Sequence, residues 1–507
     1  MILHSTVLKT VVASAIVFNL IRLKTYTMTL TNRFGIRSII TAAMLFLALN
    51  ISCADREIVP EDADPKEDTP GDNVKDTESW VYRINPATRR NEKFFGLVHY
   101  NLPGYNHHRE PDPDGSNEAV FKEKTRYVNT IILDNKFVKP YMFDKVLIIS
   151  NYLRFRIEVY LGNQNLPDGA DKDYYGTQFL KKNQHNPELI SAIDYGVDYL
   201  KTTFGNFDME YNTIDEIGLG GMGHYFTPPS VGAKIYERIR LKEWEPLVLV
   251  DLLGHGRGSA YFFEQRYLKD HDAMPKDPPY ELLGNNARAN TTIPLLGFFE
   301  AYDGTPVYDF DSHGKYSYHN IDLESYKKMW FENVKQIAAA YKNSGNLFSL
   351  NAYNDFFKYP ILSGITVDAI KAGVGDMPLW LYFDGNGYSK PAGMSPGDYV
   401  NELKCQIYTS IVHGATGVLF WSTTTKEPDV FDALTPLLKE LNENVPIFKM
   451  NTAETRITND LHVMMKESAG KKYIIATNTS KTSPASLNMT GIDKKSLNPL
   501  EVYIAEM

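Results

Sequence analysis

Acid–base catalysis by carboxyl groups needs one that holds a proton and one that stays ionised. The best local place for such a pair is Tyr211-Asn212-Thr213-Ile214-Asp215-Glu216-Ile217. There an apolar strand pattern ends in adjacent acids and runs into Gly218-Leu219-Gly220-Gly221. Successive strand residues face opposite ways, but at a strand end the last one can turn inward. Burial against aromatics, or a neighbouring acid, would raise the pKa of the group that keeps its proton. Other acids compete for the second role: Asp251 in the run 246–253, Glu300 in the aromatic stretch 296–303, and Asp384 closing 378–384. No metal is expected. His107 and His108 are adjacent and cannot share a helical face, and no two histidines have the spacing of a zinc helix. No cofactor is expected either, because the Gly218–Gly221 turn has neither the spacing nor the Lys of a phosphate loop.

Strands must carry these residues. Short runs rich in β-branched and aromatic residues recur at 94–100, 128–134, 155–162, 211–217, 246–253, 347–354, 378–384 and 416–422. They are continuous rather than alternating, as in strands buried on both faces. Helical periodicity lies between them, at 187–204, 231–241, 323–341, 402–413 and 430–445. This pattern predicts an α/β fold, a (β/α)8 TIM barrel over residues 91–451, with 211–217 as its fourth strand. A doubly wound sheet is the alternative. Residues 101–125 and 254–322 are long loop insertions, which a barrel carries at its C-terminal mouth. Residues 452–507 read as a small antiparallel β-module with strands near 461–466, 472–478, 486–490 and 500–505.

The chain has 507 residues, 43% of them hydrophobic, enough for a large core. Its formal net charge of −9 argues against a broad nucleic-acid surface. Cys53 and Cys405, the only cysteines, exclude a disulfide scaffold, and Cys405 reads as a small buried hydrophobe. Residues 1–53 hold no acid, and a basic stretch, Asn32-Arg33-Phe34-Gly35-Ile36-Arg37, leads into an apolar run ending at Ser52-Cys53. This resembles a bacterial lipoprotein signal of Bacteroidetes type, with Met28 as its start and Cys53 as the lipidated residue. Residues 54–90 form an acidic flexible tether, whose first part, 54–79, carries ten acids against three basic groups. A monomer anchored by lipid at the outer membrane or cell surface is expected.

The strand end at Asp215-Glu216 is similar to that of the clan A TIM-barrel glycoside hydrolases, which place their acid/base glutamate there. His413-Gly414-Ala415-Thr416-Gly417-Val418-Leu419-Phe420-Trp421 resembles their last helix–strand turn, and Lys471-Lys472-Tyr473-Ile474-Ile475-Ala476-Thr477-Asn478 their C-terminal module. The resemblance covers about residues 90–507. It implies cleavage of an oligo- or polysaccharide with retained configuration, Glu216 as proton donor and Asp384 as nucleophile, an aspartate where the family has a glutamate. Sugars stack on rings and hydrogen-bond to amides. Tyr100, Tyr353, Asn354, Trp380, Tyr382 and Trp421, with Asp215, Asp251 and Glu300, are therefore the expected binding residues. A non-catalytic glycan-binding protein on the same barrel is the second reading, and a scaffold or adhesin without a sugar site is the third.

Overall fold

A computed structural model describes residues 79–84, 90–100, 116–133, 147–164, 182–204, 209–214, 227–243, 245–253, 308–310, 316–318, 323–387, 389–421 and 428–507. Thr88, Lys145, Phe179 and Leu180 are described as well. Eight parallel strands form one sheet: β3 (Gly96–Tyr100), β4 (Thr130–Leu133), β5 (Leu147–Ser150), β6 (Met209–Ile214), β7 (Val248–Leu253), β10 (Leu347–Asn351), β11 (Trp380–Asp384) and β12 (Gly417–Trp421). Their spatial order is β10-β7-β6-β5-β4-β3-β12-β11. One parallel bridge, Phe348 to Leu379, joins the two ends, and Phe348 N–H donates to Pro378 C=O at 3.1 Å. The sheet is thus a near-closed (β/α)8 barrel, as the alternation of runs and helical periods predicts.

Side chains sort by strand alternation. Val98, Ile132, Leu147, Ile149, Leu249, Leu347, Trp380, Tyr382 and Leu419 fill the barrel. Outward residues such as Val250, Phe348, Leu381 and Phe420 pack under the helices. Two short strands, β1 (Val81–Ile84) and β2 (Asn91–Phe94), pair antiparallel near the N-terminal end of the barrel. Val81 joins the interior cluster, and Arg83 Nη2 meets the buried Glu210 at 2.5 Å, so residues 79–84, expected in the tether of 54–90, belong to the folded body because Trp80 and Val81 have apolar surface to bury. Glu210 also accepts from Leu247 N–H at 2.6 Å, which fixes the start of β7.

The helices are α1 (Ser116–Lys124), α2 (Tyr152–Gly162), α3 (Pro187–Phe204), α4 (Pro229–Lys242), α5 (Leu323–Tyr341), α6 (Tyr353–Lys358), α7 (Ile361–Val374), α8 (Pro396–Val412) and α9 (Pro428–Phe448). Helix α8 starts by rule: the Ser395 hydroxyl accepts from Asp398 N–H, and Pro396 follows in the first turn. Among the described residues no helix is long and apolar enough to cross a membrane. The run 155–162, expected as a strand, belongs to α2. Its alternating Phe155, Ile157 and Val159 imitate a strand, but Leu153, Ile157, Tyr160 and Leu161 make a buried helical face. The third barrel strand is instead the short Leu-Ile-Ile-Ser of β5.

The C-terminal sheet is antiparallel, in the order β13 (Asn451–Thr458), β14 (Leu461–Ser468), β15 (Lys471–Asn478), β18 (Val502–Glu506), while β16 (Ala485–Ser486) pairs with β17 (Ser496–Leu497), and β8 (Tyr308–Phe310) with β9 (Tyr316–Tyr318), as separate two-stranded sheets. Ala469 and Gly470, both at positive φ, make the two-residue turn between β14 and β15. Met464 and Ile475 join the core under the barrel helices.

Candidate active site

Strand alternation places a set of polar side chains inside the barrel toward its C-terminal end. Tyr100 closes β3, Asn151 follows β5, Asn212 lies on β6, Asp251 on β7, and Ser349 and Asn351 on β10. They form two hydrogen-bonded groups. In the first, Asn212 Nδ2 donates to Asn151 Oδ1 at 2.9 Å, and Asn151 Nδ2 donates to the Tyr100 hydroxyl at 3.2 Å. This direction leaves Asn212 Oδ1 as a buried acceptor with no hydrogen bond. In the second, Ser349 donates its hydroxyl to Asp251 Oδ1 at 2.7 Å, and Asn351 Nδ2 approaches Oδ2 at 3.4 Å. Asp251 is fully buried. A carboxylate taken from water needs such donors.

Aromatic rings make the wall. Tyr353 and Trp421 stack face to face, with centroids 5.5 Å apart and planes 3° apart. Tyr100 meets Tyr382 edge to face at 6.4 Å. All four pack on or within the interior cluster. Beside Asn212 the β6–β7 register slips: Asn212 pairs with Leu249, but Ile214 pairs with Val250. This β-bulge lies between Asn212 and Ile214, at the end of β6.

Of the expected site residues, Tyr100, Asp251, Tyr353, Tyr382 and Trp421 come together at this end of the barrel. Trp380 does not, which corrects the expectation that it contacts a ligand. It opens its strand, at the far end of the barrel, where its ring lies over Gly96 and Gly417. A Cβ at these glycines would come within 2.7 and 2.5 Å of the indole.

Asp384 is fully engaged by its own turn. Its Oδ1 accepts from Asn386 N–H at 3.1 Å, and its Oδ2 from Ser389 N–H and the Tyr399 hydroxyl, both at 2.6 Å. Tyr399 stands on α8, so Asp384 ties the loop after β11 to that helix. Such Asx-type bonding fits a structural carboxylate. Asn354 falls within α6. Asp215, Glu216, Glu300 and Cys53 lie outside the described residues.

Asn151, Asn212, Ser349 and Asn351 were not foreseen. Their signal is a lone polar residue in or just after an otherwise apolar strand, as in Leu-Phe-Ser-Leu-Asn. His99 is also buried on a barrel strand, but it faces outward, its ring 5.8 and 5.4 Å from those of Phe420 and Phe431. Burial, and to a lesser degree Lys145, lowers its pKa to about 3. Among the described residues no group of three or more His, Cys, Asp or Glu is placed to hold a metal ion.

No protein-family model and no curated protein matches the sequence. Solved structures do. An α-amylase of Anoxybacillus aligns at 12% identity and a TM-score of 0.38, over 81% of this chain and 97% of that one. Eubacterium rectale Amy13B aligns at 8% and 0.42, over 85% and 97%. A GH30 endoxylanase from Clostridium papyrosolvens aligns at 8% and 0.32, over 86% and 96%.

Proposed function

We propose that the chain is a glycoside hydrolase acting on an oligo- or polysaccharide at the C-terminal mouth of the barrel. The observation that carries this is the buried Asp251, held by Ser349 and Asn351, in the same barrel end as two linked amides and a stacked Tyr353–Trp421 wall. Amides and hydroxyls suit sugar hydroxyls, and flat rings suit the C–H faces of a pyranose. The vacant Asn212 Oδ1 asks for a donor, which a hydroxyl supplies. Glu216 is the proton donor. Asp251 takes the second carboxylate role ahead of Asp384, whose oxygens are committed to a turn. Retention of configuration follows from the resemblance, and it requires the two carboxyl groups about 5–5.5 Å apart.

A glycan panel assayed with wild type and three variants tests this. Glu216→Gln should lower turnover about 10²–10⁴-fold, and much less for substrates whose leaving group needs little protonation. Asp251→Asn should lower turnover for good and poor leaving groups alike, whereas Asp384→Asn should lose stability and keep turnover per folded molecule. NMR of the first-formed anomer reads the stereochemistry. Equal activity in wild type, Glu216→Gln and Asp251→Asn would remove this reading. The commitment of Asp384 favours a second reading, a non-catalytic glycan-binding barrel, which binding without turnover in wild type would support.

The same proposal places the protein at the outer membrane or cell surface through a lipid on Cys53, supported by the basic, apolar, Ser-Cys order of the leader. Cys53→Ala should move the protein from the membrane to the soluble fraction while leaving hydrolysis intact.

A further inference from the structure

The C-terminal sheet docks on the barrel partly through one polar stripe of α8. Glu402, Cys405, Thr409 and His413 recur at helical spacing, and each meets a residue of the module. Glu402 pairs with Lys481, and Cys405 Sγ lies 3.4 Å from Asn478 C=O. The Thr409 and Thr477 hydroxyls are 3.1 Å apart. His413 Nε2 lies 2.7 Å from His462 Nδ1, and its Nδ1 lies 2.7 Å from Asp368 Oδ2 on α7. His462 Nε2 ends the chain, 3.5 Å from the Thr479 hydroxyl. Helix α7 leaves room for this ring: a Cβ at Gly364 would come within 2.6 Å of the His413 imidazole.

Two ring nitrogens 2.7 Å apart share one proton between them. In the neutral pair, His413 Nδ1–H donates to Asp368, and His462 Nδ1–H donates to the lone pair on His413 Nε2. One added proton can still be held, with the His413 Nε2–H donating to His462. A proton on each ring places two N–H groups, and two positive charges, face to face without water. The surrounding charges do not relieve this. Asp368 is half exposed on the His413 side, and Lys371 donates to His413 C=O at 3.0 Å. Lys327 of α5 acts against a charge on His462. Asp460, in the turn before β14, is turned to Thr479, and the Glu402–Lys481 pair lies three helical turns away on α8.

We infer that the His413–His462 contact is an acid-sensitive latch: it holds one end of the inner β14–β15 pair of the module on α8 at neutral pH and lets go as the second proton arrives. Burial, then His413, lowers the His462 pKa from 6.5 to about 3 in the docked form. Once released into water the ring returns to its ordinary value. The released form therefore binds more protons between these limits. Docking is full above pH 6.5 and weakens about tenfold per pH unit below it. Helix α8 leads directly into β12 and Trp421, so the latch bears on the wall of the proposed site.

Hydrogen exchange of the full chain, read by mass spectrometry and corrected for intrinsic rates, tests this at pH 7.5 and 5.0. Protection of residues 461–478 and 409–413 should fall about 30-fold at pH 5.0, while β10 and β11 keep theirs. In His462→Gln, which can donate to His413 but cannot take a proton, the fall should vanish. Loss of protection in step across the barrel strands, or an unchanged fall in His462→Gln, would overturn the latch. Should that variant not fold, ¹⁵N-histidine NMR of the wild type decides: His462 must stay neutral in the docked form at pH 5.0. A His462 ring that titrates near pH 6.5 with the module still docked would also overturn it.

Discussion

At the residue scale, the two ends of the barrel differ in what they tolerate. The interior of the N-terminal end is filled by the Trp380 ring against Gly96 and Gly417. A methyl group at Gly417 would overlap the indole, in a core that cannot expand freely. Gly417→Ala should therefore cost about 1–3 kcal/mol, the usual range for overpacking, in urea unfolding. Gly417→Ala combined with Trp380→Phe should recover part of it, and additive losses would show that the indole is not the obstacle. At the C-terminal end the side chains are polar and bonded in groups, with Asn212 Oδ1 left over. The places of Tyr100 and Trp421 were legible because each ring closes an apolar strand. Asn151, Asn212, Ser349 and Asn351 were not, because a single amide or hydroxyl in such a run looks the same whether it faces the barrel axis or a helix. Asp384 reads two ways for a related reason: a strand-end acid followed by Gly-Asn-Gly is equally the first residue of a self-bonded turn.

At the scale of elements, α8 does more than cross from β11 to β12. It supplies Tyr399 to Asp384 on one side and the polar stripe to the module on another. Its start depends on one hydroxyl, so Ser395→Ala should cost about 1 kcal/mol, within the usual range for losing an N-cap. Calorimetry would show it, and Ser395→Asp should restore most of the loss, because aspartate caps and also complements the helix dipole. No loss in the alanine variant would place the start of α8 under tertiary control instead. Long periodic helices such as α3 and α5 were readable from sequence because their apolar face repeats over many turns. Helix α2 was not, because its Phe155-Arg156-Ile157-Glu158-Val159 alternates with period two, and only its packing against α3 makes it a helix.

At the scale of the molecule, buried neutral histidines set the acid response. His99 and His462 each have a pKa lowered to about 3, chiefly by burial. The unfolded chain, with ordinary histidines, binds more protons between about pH 3 and 6.5. Stability is thus unaffected by these groups above pH 6.5 and falls below it, by about 2 kcal/mol per histidine at pH 5. Denaturant titrations at pH 7.5 and 5.0 should show this, and His99→Phe should remove one share of the slope. A slope unchanged in that variant would mean that His99 is already charged in the folded state.

The pairing of β3 with β12 has a consequence in time. The first barrel strand takes its second neighbour from a segment made some 300 residues later. At ~5–20 residues per second, that edge stays bare for roughly 15–60 s of synthesis. Throughout that interval Gly96–Tyr100 offers open backbone groups to any other extended chain. Any message truncated before Gly417 never supplies the partner, and its product carries a permanently adhesive strand.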